Sequence, residues 1–122
     1  MKYDGSDERE ALKDHYYVKS RLADGRWTAI INPEKQAPHM ESTRRKGASY
    51  FYDEVDVQAL VSKYAGTGYV ERSKSGKKTN KEIINISEDI GIVTSDGKKF
   101  VANQLKIHYS KNRTHIVPRR RK

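Results

Sequence analysis

The chain has 122 residues, of which 34% are hydrophobic and 34% are charged, so we expect one domain with a small core. It contains no cysteine and no apolar run near the length of a membrane span, which excludes disulfides, thiolate sites and a spanning helix. Lys and Arg total 25 against 16 Asp and Glu, and the resulting charge of +9 favours polyanionic partners such as nucleic acids.

The start of the chain is too polar for a signal peptide and is predicted to hold a short helix and a β-hairpin. The helix is expected over residues 7–14, behind Ser6 as its N-cap. Asp24-Gly25 lies between two β-prone stretches, which predicts strands near 15–22 and 26–31. These elements would form an N-terminal extension over residues 1–31. Residues 32–122 would form the larger part of the same compact domain.

The middle of the chain combines an irregular segment with one clear helix. PEKQAPHMESTRRKGASY has two prolines and no sustained periodicity, so we expect a loop with room for one short helical turn. In DVQALVSKY, apolar residues recur at helical spacing behind Asp56 as N-cap, and AGTG ends the helix. The cationic stretch SKSGKKTN that comes after it is expected to be a mobile loop.

The last third of the chain is predicted to consist of strands. KEIINIS, IGIVTS, FVANQLKIHYS and THIVP follow one another without helices, with a turn at Asp96-Gly97. This order favours an antiparallel meander, so the predicted class is α+β, with a small antiparallel sheet packed against one or two helices. Six cations and no acid follow Ser110. A terminal run such as RRRK is usually a solvated tail, and the alternative is a docking surface for phosphate.

The sequence lacks metal-binding and nucleotide-binding motifs, but it carries groups suited to metal-free cleavage of RNA. The four histidines do not have a metal-binding spacing, and YAGTGYV follows a helix instead of opening one. RNA cleavage needs a base for the ribose 2′-hydroxyl, an acid for the leaving 5′-oxygen, and cations for the phosphorane. Histidine suits both proton roles because its ordinary pKa of about 6.5 lies near neutral pH.

Three segments carry such groups. The first is the irregular loop, where His39 lies close in sequence to Arg44, Arg45, Lys46 and Ser49. The second is the start of a strand, with Lys81 and Glu82, and the third is the end of the chain, with His108, Ser110, Lys111 and His115. In an extended segment His108 and Ser110 would share one face of the sheet. Taken singly, these histidines are equally compatible with purely structural roles, and Lys81 and Glu82 with a surface ion pair. His15, without nearby partners, is expected to be structural.

The segments NPEKQAPHMEST, GASYF, SKYAGTG, NKEII and IHYSKNRTHIVP, in this order and spacing, resemble the polymorphic toxin type 50 family over residues 32–118. Those domains are similar to the nuclease group of barnase, EndoU, RelE and two colicins, known as the BECR fold, which cleaves RNA without a metal or other cofactor. They occur as C-terminal modules of bacterial toxins and on phage head-morphogenesis proteins. The resemblance implies action in the bacterial cytoplasm and an acidic immunity protein as partner.

The resemblance also implies a set of site residues. It places these residues in or near the site: Lys35, Gln36, His39, Ser49, Lys81, Glu82, His108, Tyr109, Ser110, Lys111 and His115. One position departs from the family, which usually has glycine where this chain has Arg113. A tight turn there would favour the positive φ of glycine, so either the loop is rearranged or Arg113 itself reaches a phosphate.

The leading hypothesis is therefore a metal-independent ribonuclease in which His39 and His115 share the general base and acid roles. Either histidine is compatible with either role. Lys81, Lys111 and an arginine from residues 44–45 would stabilise the phosphorane, and Ser110 and Tyr109 would position the phosphate. The alternatives are a non-catalytic module that binds nucleic acid and a domain whose basic surface binds an acidic protein.

Overall fold

The computed structural model describes residues 6–121. Its helices are α1 (Ser6–Ala23), α2 (Pro33–Gln36), the 3-10 helix η1 (Ala37–His39) and α3 (Val57–Tyr64). Its strands are β1 (Tyr50–Phe51), β2 (Tyr69–Arg72), β3 (Lys78–Asn85), β4 (Gly91–Ser95), β5 (Lys98–Val101), β6 (Gln104–His108) and β7 (His115–Arg119). None of the described helices is long and apolar enough to cross a membrane.

The predicted N-terminal hairpin is wrong, because the chain from Ser6 to Ala23 is one continuous helix. Val18 is buried in the core, and Asp14, one turn earlier on the same face, accepts a hydrogen bond from the backbone N of Val70. These tertiary contacts override the β propensity of the tyrosines and valine in HYYV. Asp24-Gly25 ends this helix, with Gly25 at a φ of 81° as is usual after a helix C-terminus. Residues 26–31 form no strand.

The strands form two antiparallel sheets, with orders β1-β4-β5 and β2-β3-β6-β7. The α+β class is thereby confirmed, and so are helix α3 with its Asp56 cap and the short helical turn that α2 and η1 provide. The predicted strand FVANQLKIHYS is divided into β5 and β6, because the chain passes from one sheet to the other at Ala102 and Asn103. The predicted meander is therefore interrupted: the hairpin β4-β5 belongs to the other sheet, and β3 pairs with β6.

The four-stranded sheet has one face in the core and one open face. Leu105, Ile107 and Ile116 pack with residues of α1 and α3 in the main core. Alternate residues point the other way, so the open face carries Lys106 and His108 of β6 together with His115 of β7. The open face is the surface on which the candidate site is built.

Two segments that were expected to be loops or tails are ordered by hydrogen bonds and packing. The SKSGKKTN stretch forms a tight hairpin turn between β2 and β3, in which the backbone N of Ser73 donates to the carbonyl of Lys77. At the C-terminus, Arg119 belongs to β7 and the Arg120 guanidinium lies 4.1 Å from the centre of the Phe100 ring. The prediction of a solvated basic tail is therefore wrong for Arg119, whereas Arg120 and Arg121 are exposed as predicted and Lys122 lies outside the described residues.

Candidate active site

Two histidines and a lysine form a row across the open face. Lys81 of β3 is directly opposite His108 of β6, which is directly opposite His115 of β7. Directly opposed residues of antiparallel strands point to the same face. The rings of His108 and His115 accordingly stack, with centroids 4.7 Å apart and planes 19° apart. We call these three residues the histidine row.

The loop before β1 brings His39 to the same place. Its ring lies 6.1 Å from that of His115, with the two planes 9° apart. The side chain of Asn32 caps α2 and Pro33 occupies its first turn, which starts the short helical segment that ends at His39. Three imidazoles from separate parts of the sequence therefore form one stack.

Backbone carbonyls fix the tautomers of two of these rings. Nδ1 of His39 lies 3.1 Å from the carbonyl oxygen of Ser49, and Nδ1 of His115 lies 3.2 Å from that of Arg113. A carbonyl can only accept, so Nδ1 must carry the hydrogen in both rings. In the neutral ring Nε2 then holds a free lone pair and can accept a proton.

The surroundings of His108 and His115 disfavour protonation. Burial, followed by the charges of His115 and Lys81, lowers the pKa of His108 to about 4. Burial also lowers the pKa of His115; the hydrogen bond to the Arg113 carbonyl opposes this, and the charges of His39 and Lys35 add to it. Both rings are consequently neutral near pH 7.

A cationic cleft opens beside His39 and His115. Its volume is about 440 Å³, and its lining adds Glu34, Lys35, Pro38, Arg45 and Arg113 to the two histidines. Three of these side chains are cations and one is an acid, so the cleft suits an anion. Arg113 does not adopt a positive φ, so the turn accommodates it without the strain for which the family's glycine would be needed.

Other predicted cations lie outside the lining of this cleft. The guanidinium of Arg44 is 4.3 Å from the centre of the Tyr50 ring. Lys46 and Lys111 are exposed and do not line the cleft. The arginine that the structure brings to the histidines from residues 44–45 is therefore Arg45.

Glu82 and Tyr109 are buried, so the expectation that they contact substrate is not compatible with their positions. Glu82 is 0% exposed, and its carboxylate accepts from the backbone N of Gly66 and Gly68 and from the Tyr109 hydroxyl at 2.7 Å. The Tyr109 ring stacks on Trp27, with centroids 5.1 Å apart. Burial and the Glu82 charge raise the pKa of Tyr109 above its ordinary range, so the phenol remains a donor.

Gln36 is a third predicted contact that proves to be structural. Its amide oxygen accepts from the backbone N of Ile116 at 2.8 Å, and its amide nitrogen donates to the Ile116 carbonyl at 2.9 Å. The side chain thus pairs with the outer edge of β7 as a neighbouring strand would. It fixes α2, and with it Lys35 and His39, beside His115.

Ser110 and Ser49 also act through the backbone. β6 ends at His108, so Ser110 does not share a strand face with it as predicted. Instead the Ser110 hydroxyl accepts from the backbone N of Arg113 at 2.6 Å and holds the turn before His115. The Ser49 hydroxyl accepts from the backbone N of Thr94, which anchors the carbonyl that orients His39.

Lys106 and Glu71 are neighbours of the site that sequence reasoning missed. Lys106 precedes His108 by two residues, so strand alternation already placed both on one face. Its Nζ lies 2.6 Å from a carboxylate oxygen of Glu71 on β2. No sequence signal indicated Glu71, because its contact depends on the pairing of strands. Within residues 6–121 no group of three or more His, Asp or Glu side chains is arranged to hold a metal ion.

Comparison with known proteins agrees with the sequence resemblance. Residues 31–118 match the family described as bacterial toxin 50. A search of the curated proteins gives no match. The family match covers both the loop that carries His39 and the strands that carry the histidine row. The chain belongs to the bacterial toxin 50 family.

Proposed function

We propose that this toxin domain is a metal-independent endoribonuclease that cleaves RNA to a 2′,3′-cyclic phosphate. The observation that carries the proposal is the stack of His39 and His115 beside the cationic cleft, each ring with Nδ1 held by a carbonyl and Nε2 free for proton transfer. Two separate proton carriers and an anion site are what this reaction requires.

In the proposed reaction, one neutral imidazole takes the proton of the ribose 2′-hydroxyl. The 2′-oxygen bonds to phosphorus, and the bond from phosphorus to the 5′-oxygen breaks. The second imidazole, protonated beforehand, gives its proton to the 5′-oxygen as it leaves. The products are a 2′,3′-cyclic phosphate and a 5′-hydroxyl, so atoms and charges balance.

We assign the base role to His115 and the acid role to His39. The lowered pKa of His115 keeps its ring neutral at pH 7, as a base requires. The His108 ring stacks on the His115 ring and supports its orientation. Lys35, Arg45 and Arg113 line the cleft and would stabilise the charge that develops on the phosphorane.

The proposal is tested by mixing the purified chain with total RNA in EDTA. We expect discrete fragments that end in 2′,3′-cyclic phosphate. His39→Ala and His115→Ala should each reduce cleavage by roughly 10²- to 10⁴-fold, the usual contribution of a proton-transfer group. His15→Ala is the matched control, since His15 lies on α1 and does not line the cleft. An equal loss in all three variants would contradict the proposal.

A second candidate is a module that binds nucleic acid without cleaving it, which the charge of +9 supports. It predicts a salt-sensitive gel shift with intact RNA and unchanged affinity after His39→Ala. An acidic immunity protein is a proposed partner in either case, because the cations around the cleft favour an acidic surface.

A further inference from the structure

A pocket lies between the β4-β5 hairpin and the end of β7 that points away from the cleft. The hairpin pairs Val93 with Phe100 and Ser95 with Lys98. Directly opposed and alternate residues share a face, so these four side chains point to the same side of the hairpin. Arg120, which follows β7, lies over that side. The pocket has a volume of about 320 Å³, and we call it the β5 pocket; its lining is Val93, Ser95, Asp96, Lys98, Phe100 and Arg120.

The β5 pocket and the cleft adjoin the same edge strand, β7. His115 at the start of β7 lines the cleft, and Arg120 just beyond its end lines the pocket. At about 3.4 Å per residue, the backbones of these two residues are at most about 17 Å apart. Ser49 also connects the two sites, since its carbonyl orients His39 and its hydroxyl accepts from the backbone N of Thr94 on β4. A strand of a few nucleotides can therefore reach from the cleft to the pocket.

The wall of the β5 pocket offers a flat surface to a base. The Arg120 guanidinium lies over the Phe100 ring, 4.1 Å from the ring centre, and Arg120 is exposed. The ring therefore supports one face of the guanidinium, and the other face is open to solvent. Unstacked bases of RNA bind to guanidinium planes of this kind. Val93 and Phe100 are half-buried and add apolar surface beside the guanidinium.

The charges of the β5 pocket suit a nucleotide better than a phosphate alone or an acidic protein. Lys98 and Arg120 take part in none of the ion pairs found within residues 6–121, so both can attract a phosphate. Asp96, in the turn of the hairpin, is the one acid of the lining. A carboxylate repels phosphates and acidic side chains, but it accepts a hydrogen bond from the amino group of a base.

We propose that the β5 pocket binds one nucleotide of single-stranded RNA, a few positions along the RNA from the phosphate that is cleaved in the cleft. In this arrangement the base stacks on the Arg120 guanidinium, and the phosphate of the nucleotide lies near Lys98. The inference rests on the proposed ribonuclease function. The occupant is single-stranded because a base within a duplex does not expose its face for stacking.

The test compares neighbouring cations of which one lines the β5 pocket and the other does not. Lys98 lines the pocket, whereas Lys99, the next residue on β5, points to the other face. In the same way Arg120 lines the pocket and Arg121 does not. Each of the four residues is changed to Gln, and thermal unfolding checks that every variant is folded. The substrates are an RNA strand of about twelve nucleotides and a dinucleotide, which is too short to reach from the cleft to the pocket.

On the longer strand we expect Arg120→Gln to reduce kcat/KM by about tenfold, with the loss mainly in KM, and Lys98→Gln to reduce it less. Lys99→Gln and Arg121→Gln should remain close to wild type, and all four variants should cleave the dinucleotide like wild type. An equal loss in all four variants would show a general effect of charge, and an equal loss on both substrates would show damage to the cleft. Either result would overturn the inference.

A binding measurement separates this inference from the proposed function. A DNA strand of the same sequence has no 2′-hydroxyl, so its affinity can be followed by fluorescence anisotropy without cleavage. If no variant cleaves RNA but Arg120→Gln binds the DNA strand more weakly than Arg121→Gln does, the ribonuclease proposal fails and the nucleotide site stands. If these two variants bind the strand equally, the nucleotide site is refuted.

DNA strands that lack one base at successive positions identify the base that the pocket contacts. At that position Arg120→Gln and Arg121→Gln should bind equally, because the stacking partner of the guanidinium is absent. A difference between the two variants that persists at every position would contradict a base in the β5 pocket.

Discussion

At the scale of single residues, the proposed site contains two imidazoles, those of His108 and His115, whose surroundings disfavour protonation. The His108 ring stacks on that of His115, and Lys81 is the residue opposite it on β3. Burial lowers the pKa of His108 to about 4. The sequence supplied the residue types, and their chemistry identified His39 and His115 as candidates. It did not show that Glu82 is buried, although strand alternation already required Lys81 and Glu82 to point to opposite faces. The missing information was which face the core covers.

The lowered pKa of His108 makes a prediction about stability. Between pH 6.5 and about 4 the unfolded chain binds a proton at this residue that the folded chain does not, so stability falls as the pH falls through this window. His108→Asn removes this dependence. We expect the difference in Tm between pH 7 and pH 4.5 to be smaller for the variant than for wild type. Equal differences would show that His108 titrates normally in the folded protein.

Glu82 and Tyr109 are predicted to position the site and not to touch substrate. Glu82→Gln places an NH₂ donor among three donors and leaves a buried group unpaired, which costs about 1–3 kcal/mol of unfolding free energy. Urea unfolding measures this loss. Tyr109→Phe keeps the stack on Trp27 and should retain the pH profile of cleavage. A variant with wild-type stability and no activity would argue for a direct catalytic role instead.

At the scale of elements, local sequence signals determine some helices and contacts between distant segments determine others. Helix α3 was predictable because its cap, its periodicity and its stop signal are all local. Helix α1 was not, since the burial of Asp14 and Val18 against the rest of the fold outweighs the hairpin signal at Asp24-Gly25. The position of α2 depends on the Gln36 amide, which bonds a strand 80 residues away in the sequence.

The Gln36 contact with β7 predicts that substitutions at two adjacent residues, Lys35 and Gln36, have different effects. Gln36→Ala leaves the backbone N and carbonyl of Ile116 without partners, so we expect a loss of at least about 2 kcal/mol in unfolding free energy. Lys35→Ala, at the exposed neighbouring position, should leave stability unchanged and weaken RNA binding. Denaturant unfolding and anisotropy distinguish the two. Unchanged stability in Gln36→Ala would contradict the proposed role of this amide.

At the scale of the whole molecule, two sheets and a long helix leave one face of the four-stranded sheet open, and the histidine row of the proposed site lies on that face. The class could be predicted from the succession of strands, whereas the division into two sheets could not, because the change of sheet at Ala102 and Asn103 has no local signal. The excess of positive charge is also a property of the whole chain, and the cleft beside His39 and His115 concentrates part of it.

The cations that line the cleft predict that the affinity for nucleic acid depends on salt concentration. The logarithm of affinity for a single strand falls with the logarithm of salt concentration by about 0.7 per neutralised phosphate. Arg113→Gln should therefore reduce the slope by about 0.7, whereas Lys63→Gln on α3, outside the cleft lining, should not change it. Anisotropy with a DNA strand between 50 and about 200 mM salt measures both slopes. Identical slopes for Arg113→Gln and wild type would place the phosphate elsewhere.

The most direct test of the central claim uses a DNA strand that contains one ribonucleotide, incubated with the chain in EDTA. If the 2′-hydroxyl is the nucleophile and the chain's own imidazoles move the protons, we expect one cut, after the ribonucleotide, with a 2′,3′-cyclic phosphate at the new end. The same strand with a 2′-O-methyl group should remain intact, and His115→Ala should cut at least about 10²-fold more slowly. Cleavage of the methylated strand at the same rate, or an undiminished rate in His115→Ala, would contradict the account.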